Sequence, residues 1–166
     1  MFEMHPIGHV VSERTDPEDD NWGGTEACIE LIPQIELDAL DGIEEFSHAI
    51  VVYYFDRVDP IRISRGSRHP RNNPAWPRVG IFAQRGKNRP NRIGTSVVRI
   101  LRREGRCLYV GELDAIDNTP VLDIKPVMQE FLPRGEVRQP QWSHELMESY
   151  WRHAGQLQEA SLGDEG

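Results

Sequence analysis

No run of about 18 or more apolar residues occurs in the chain, so nothing in it reads as a membrane span. The start, Met1-Phe2-Glu3-Met4-His5-Pro6, puts a charge and a proline where a signal peptide needs an apolar core, and no secretion signal is read there. Cysteine is scarce: Cys28 and Cys107 are the only two, which suits a reducing, cytoplasmic setting. A structural disulfide between them is the less favoured reading. No Cys/His spacing resembles a zinc site, and His144-Glu145 lacks a second His at zincin spacing, so no metal is expected. There is no Gly-x-Ser-x-Gly elbow and no Gly-x-x-x-x-Gly-Lys-Ser/Thr loop. These absences leave serine hydrolases, zinc proteases and P-loop nucleotide hydrolases without support.

The 166 residues that are there fit one domain, with a core that needs no metal or disulfide to hold it. Net charge is −8, but it is unevenly spread. From Arg57 to Arg106 there are 14 Lys or Arg against two acids, Asp59 and Glu104, a local charge of +12. The remainder holds five cations against 25 acids, a charge of −20. A basic block inside an acidic protein is the electrostatic footprint of an anionic partner. The bland alternative is a solvated loop whose arginines pair with the acidic remainder.

Short β-branched runs bounded by turn residues predict strands over 5–11, 27–32, 46–55, 79–83, 94–101, 107–113 and 121–125. The run Phe46 to Phe55 is nearly continuous rather than alternating, which implies burial on both faces or a barrel wall. Pro33 opens a short helix through Leu40, ended by Asp41-Gly42. Asp56 to Arg78 keeps no apolar period and reads as a long loop of the functional kind. Beyond Pro140 the period becomes helical, with Ser143 as N-cap and a stripe of Leu146, Met147, Tyr150, Trp151, Ala154 and Leu157. The last six residues read as a disordered tail. The fold class expected is mainly β: a small single-sheet β-barrel with short peripheral helices and a C-terminal helix. Residues 1–140 form the barrel domain and 141–166 the helix and tail.

Two constellations can carry chemistry. Arg85 to Gly94 supplies four cations, two carboxamides and two glycines between strands. Arginine forks suit phosphate or carboxylate, Asn suits an adenine edge, and Pro90 stiffens the loop. The second is Leu113 to Pro126. Asp114 and Asp117 lie at a strand end and turn, where a carboxylate can hold a ribose diol or a cationic ligand. Turn propensity alone is the alternative for Asp117 and Asn118. Asp123 and Lys125 alternate along a strand, so they share a face and can pair.

These residues resemble a known family. Gly80-Ile81-Phe82-Ala83-Gln84-Arg85, then Arg89-Pro90-Asn91, Ile93-Gly94 and Ser96-Val97-Val98, is similar to the signature of the TrmO/TsaA-like proteins. Leu113-Asp114-Ala115, Asp117, Thr119-Pro120-Val121 and Asp123-Ile124-Lys125-Pro126 resemble its second signature, and Gly42 to His48 a third block. The family has a single-sheet β-barrel, binds S-adenosylmethionine without a Rossmann domain, and works as a homodimer. Its activity is N6-methylation of threonylcarbamoyl-adenosine beside the tRNA anticodon. Two departures stand out: Asn21-Trp22-Gly23-Gly24 replaces a Pro-Arg-Gln segment, and Arg92 stands where proline commonly follows the signature's Asn.

The resemblance implies that Arg85, Val97 and Leu113, Asp114, Ala115 and Ile116 contact the methyl donor. Asp56 and Arg57 sit where the family also touches it, and Trp22 and Gly23 stand in its N-terminal wall. Asp114 and Trp22 suit a sulfonium. Asp123, oriented by Lys125, is the expected proton acceptor. Arg89, Pro90, Asn91 and Arg92 face the acceptor substrate, with tRNA phosphates held by the basic loop. Two other readings remain open at this point: methylation of a small molecule, and a non-catalytic RNA-binding or donor-sensing module.

Overall fold

The computed structural model describes residues 1–153, so Ala154, Leu157 and the expected tail lie outside the described residues. The strands are β1 (Gly8–Val11), β2 (Glu26–Leu31), β3 (His48–Tyr54), β4 (Ser67–Arg68), β5 (Val79–Gly80), β6 (Ile93–Glu104), β7 (Cys107–Gly111) and β8 (Pro120–Pro126). Six of them pair in the order β1-β2-β7-β6-β3-β8 and close on β1, while β4 and β5 form a separate ribbon. Every pairing in the closed sheet is antiparallel.

The period of two in each strand decides what fills the interior. On β3, Ala49, Val51 and Tyr53 are buried while His48, Ile50, Val52 and Tyr54 are half-covered. The apolar run expected to form a barrel wall does so: β3 is flanked on both edges, by β6 and β8. Val10, Ile29, Val51, Leu108, Val110 and Val121 meet inside with no exposed surface. Closure removes the unpaired edges that a six-stranded open sheet would present.

Several local expectations shift. The helix expected from Pro33 to Leu40 is only a 3-10 turn, Leu37–Leu40, followed by a second at Ile43–Glu45. The strand expected over 79–83 pairs only at Val79–Gly80, and Ile81–Ala83 coils into a 3-10 turn. The C-terminal helix α1 spans Gln141–Met147, with Pro140 at its N-cap. Ser143 therefore lies inside the helix, where its hydroxyl donates back to the Pro140 carbonyl at 2.7 Å. Tyr150 and Trp151 fall beyond the helix, in a tight turn whose Ser149, Tyr150 and Arg152 carbonyls accept from the Asn21–Gly23 loop.

The cysteines are also placed differently from expectation. Antiparallel pairing of β2 with β7 sets Cys28 and Cys107 on the outer face of neighbouring strands with Cα atoms 5.6 Å apart, and they form a disulfide. That separation lies inside the range a disulfide spans. The sequence could not show it, because 79 positions separate the pair.

Candidate functional site

Antiparallel closure sends three long segments to one mouth of the barrel. The C-terminal ends of β1, β3 and β7 meet the N-terminal ends of β2, β6 and β8 there, so residues 12–25, 55–92 and 112–119 all gather at that mouth. The opposite mouth carries the turn at 105–106 and the segment 32–47. A cleft of about 330 Å³ opens near that opposite mouth, lined by His9, Glu30, Pro33 and Arg106 among others, and none of the expected site residues lines it.

At the long-loop mouth the central group is the Asp114 carboxylate. Leu113 and Ala115 on either side of it are anchored in the core, at 2% and 4% exposure. That anchoring fixes the backbone and leaves Asp114 to reach across the barrel end. Its Oδ1 accepts from the Tyr53 hydroxyl at 3.0 Å and from Ser96 Oγ, and its Oδ2 accepts from the Tyr150 hydroxyl. Tyr53 and Ser96 arrive by strand parity, since both point inward from paired strands. Gly94, opposite Tyr53, is required for this: a side chain there would overlap the Tyr53 ring and come within 2.9 Å of Phe55.

Electrostatics keep these hydroxyls protonated. Burial, reinforced by the nearby Asp114 charge, raises the Tyr53 hydroxyl far above the usual phenol range, and the same two causes raise Tyr150. The Arg85 guanidinium opposes both shifts, which places its charge beside the cluster. Arg85 is exposed and donates to the Thr95 carbonyl at 2.6 Å.

A second wall comes from the C-terminal segment. The N–H groups of Asn21, Trp22 and Gly23 donate to the carbonyls of Ser149, Tyr150 and Arg152 at 3.1, 2.8 and 3.2 Å. Trp22 is 4% exposed, with the Arg14 guanidinium 3.5 Å above its ring. In this conformation it offers a ligand no open aromatic face.

Asp123 and Lys125 lie elsewhere on the same wall. Both point outward from β8 and pair as expected, Nζ to Oδ2 at 2.8 Å. Val52 separates Asp123 from Thr95 across the sheet, and Ile50 separates Lys125 from Val97. Two strand spacings amount to roughly 10 Å, so Asp123 and the Arg85–Thr95 contact share one outer face. Val97 is 59% exposed there. The structure thus gathers Asp114, Trp22 and Gly23 at the mouth, and puts Arg85 at its rim on the outer face that also carries Asp123, Lys125 and Val97.

The basic loops are partly tied down. Arg71 grips Asp20 with both terminal nitrogens at 3.1 and 2.8 Å, as the bland reading of the charge block holds. Arg57 donates to the carbonyls of Thr15 and Asp117 at the mouth, while the neighbouring Asp56 side chain is exposed. Arg89 donates to the Gln84 carbonyl at 2.9 Å. Arg92 has a left-handed φ of 52°, packs on the Tyr54 ring at 4.6 Å and reaches the Val58 carbonyl. A proline is barred from that φ, so the departure at Arg92 has a local backbone reason. Pro90 and Asn91 occupy the turn between Arg89 and Arg92, with Asn91 exposed.

A family model described as the tRNA-methyltransferase O N-terminal domain matches residues 13–131, most of this barrel. The chain belongs to the TrmO N-terminal domain family. A probable S-adenosyl-L-methionine-binding protein of Pyrococcus abyssi is 37% identical over 150 residues, covering 83% of this chain and 74% of its own. A mouse tRNA (adenine(37)-N6)-methyltransferase is 37% identical over 93 residues, covering 56% of this chain and 21% of its own. A crystal structure of TrmO from Pseudomonas aeruginosa superposes with a TM-score of 0.64 at 28% identity, covering 83% of this chain and 61% of that one. The chain therefore spans less than two thirds of the solved TrmO chain and about a fifth of the mouse enzyme.

Two members of the mouth cluster, Tyr53 and Tyr150, escape a motif-based reading of this TrmO-family chain, and Ser96 stands in a signature block without a role assigned to it. Tyr53 looks like an ordinary strand residue, and Tyr150 like part of a helical stripe. The one legible signal is Tyr53, whose hydroxyl sits at an inward position near a strand end and so needs a polar partner.

Proposed function

We propose that this chain is an S-adenosylmethionine-dependent methyltransferase acting on tRNA, at the N6 side of a threonylcarbamoyl-adenosine next to the anticodon. The observation that carries the proposal is the Asp114 carboxylate held at the barrel mouth by Tyr53, Ser96 and Tyr150 beside Arg85, in a chain of the TrmO family. The names of the archaeal and mammalian relatives point the same way.

The residues fit the donor's chemistry. A carboxylate suits a ribose diol or a sulfonium, and an exposed guanidinium suits an amino-acid carboxylate. When bound, the donor supplies a methyl group activated by positive sulfur. The chain's part is orientation, which accounts for much of the acceleration in an in-line transfer. Leu113 and Ala115 are buried, so a ligand would meet their backbone, with Asp114 and Ile116 supplying side chains. Arg85, Asp56, Arg57, Trp22 and Gly23 border the same mouth, and Val97 its outer edge. Asp123 accepts the proton released by the nitrogen nucleophile, and Lys125 orients that carboxylate. Arg89, Pro90, Asn91 and Arg92 face the acceptor.

We also propose a cytoplasmic homodimer, the compartment following from the tRNA substrate and no longer from the cysteines, which are joined in the fold. The exposed Phe131, Leu132 and Val137 in the segment after β8 supply apolar surface that a second copy can cover. Among the described residues no helix is long and apolar enough to cross a membrane, and no cluster of His, Cys, Asp and Glu could hold a metal.

Calorimetric titration with S-adenosylmethionine is expected to give saturable heat that Asp114→Asn reduces at least about tenfold in affinity, as for a charged hydrogen-bond acceptor. Mass spectrometry of tRNA nucleosides from a deletion strain is expected to show loss of methylated threonylcarbamoyl-adenosine. Unchanged nucleosides would remove the tRNA assignment. A second reading, a donor-sensing module, is favoured by the departures at Asp56-Arg57 and Asn21-Trp22-Gly23-Gly24, where Trp22 is buried under Arg14 and offers a ligand no open face. It predicts donor heat without turnover.

A further inference from the structure

The donor site proposed above is filled by the chain's own C-terminal segment. Tyr150 caps the Asp114 oxygen that Tyr53 and Ser96 leave free. Ser149, Tyr150 and Arg152 take the N–H groups of Asn21, Trp22 and Gly23. Gly23 also pairs with His153 as an isolated parallel bridge. Three backbone N–H groups of that wall and one oxygen of Asp114 are therefore engaged by five consecutive residues.

The docking is built into the sequence on both sides. A side chain at Gly23 would collide with the Trp151 carbonyl, and one at Gly24 with the His153 ring. The two glycines thus give the segment a close approach that no other residue type allows. On the other side, Tyr150 carries a hydroxyl long enough to reach Asp114, while Trp151 remains 44% exposed. The polar contacts of the segment are hydrogen bonds that a polar ligand can replace one for one. A contact of that kind exchanges readily, since net hydrogen-bond energies are modest when water or ligand can substitute.

The geometry points to residues 149–153 acting as a displaceable strap: the Tyr150 hydroxyl occupies the position on Asp114 that a hydroxyl of the methyl donor takes, so the donor binds only when the strap lifts. The inference rests on the donor-site reading above. Binding to a state populated only in part weakens apparent affinity by that fraction. Strap release then gates access, and whatever lowers the strap's hold raises donor affinity.

The test is calorimetric titration of the full chain and of Tyr150→Phe with S-adenosylmethionine, joined to hydrogen exchange on the wild type. Tyr150→Phe keeps the ring and removes only the competing hydroxyl. It is expected to bind the donor about tenfold tighter than wild type, and the amides of Tyr150 and Arg152, which donate to Met147 and Ser149 while the segment is docked, are expected to lose protection when the donor is added to the wild type. Equal or weaker binding by Tyr150→Phe would overturn the strap, as would increased protection of 149–153, because both make the segment a wall of the site. Absence of binding in both proteins would instead overturn the donor-site reading on which the strap depends.

Discussion

The Tyr53 hydroxyl has 2% of its residue exposed and a carboxylate 3.0 Å away, and that combination makes the barrel mouth sensitive to alkali. Burial and the Asp114 charge raise the ionisation of Tyr53 and Tyr150 in the folded state. In the unfolded chain both ionise near pH 10. The sign follows from linkage: their contribution is complete below about pH 10 and is lost as pH rises above it, because only the unfolded state can shed the protons. Urea denaturation between pH 8 and 11 is expected to show falling stability above about pH 10, and Tyr53→Phe a shallower fall. A slope unaffected by that substitution would mean that Tyr53 ionises freely. At this scale part of the candidate site was legible. Asp114, Arg85 and Ser96 stand in recognisable blocks, whereas the contacts that Ser96, Tyr53 and Tyr150 make with Asp114 follow from no spacing rule.

At the scale of the element, strand parity separates residues of similar chemistry. Leu108 on β7 has no exposed surface, whereas Val97 on β6 is 59% exposed. Leu108→Ala is expected to cost about 2–5 kcal/mol through lost burial and a residual cavity. Val97→Ala is expected to stay within about 0.5 kcal/mol. Paired denaturation curves check both, and comparable losses would mean that Val97 is covered. The long β3 run and the β6–β7 hairpin were readable because alternation and turn residues act locally. The C-terminal stripe was not. Its apolar spacing fits a helix, but beyond Met147 the Asn21–Gly23 loop offers N–H groups that capture its carbonyls. A tertiary partner there outcompetes helical propensity, which differs among most residues by less than about 0.7 kcal/mol.

Across the whole molecule, the basic block divides into cations held by the chain and cations left for a partner. Arg71, Arg102 and Arg103 pair with Asp20, Glu26 and Asp41. Among the described residues, the side chains of Arg62, Arg65 and Arg99 are exposed, and none of them makes a hydrogen bond or ion pair with a described residue. If tRNA is the partner, Arg62→Ala with Arg65→Ala is expected to lower the slope of log K against log salt by about 0.7–0.9 per lost phosphate contact. Stability in denaturant should be unaltered. A slope equal to wild type would place the RNA elsewhere on the surface. The sequence by itself determined the β class, the strand most central to the wall, the charge block and the two signature loops, because composition and short-range periodicity fix these. Only the tertiary structure decided which carboxylate gathers three hydroxyls, which arginines are already paired, and that a disulfide joins Cys28 to Cys107. It likewise decided that the segment around Tyr150 lies over the Arg85–Asp114 mouth. Those outcomes depend on antiparallel closure bringing together residues as many as 79 positions apart, a juxtaposition that no local pattern encodes.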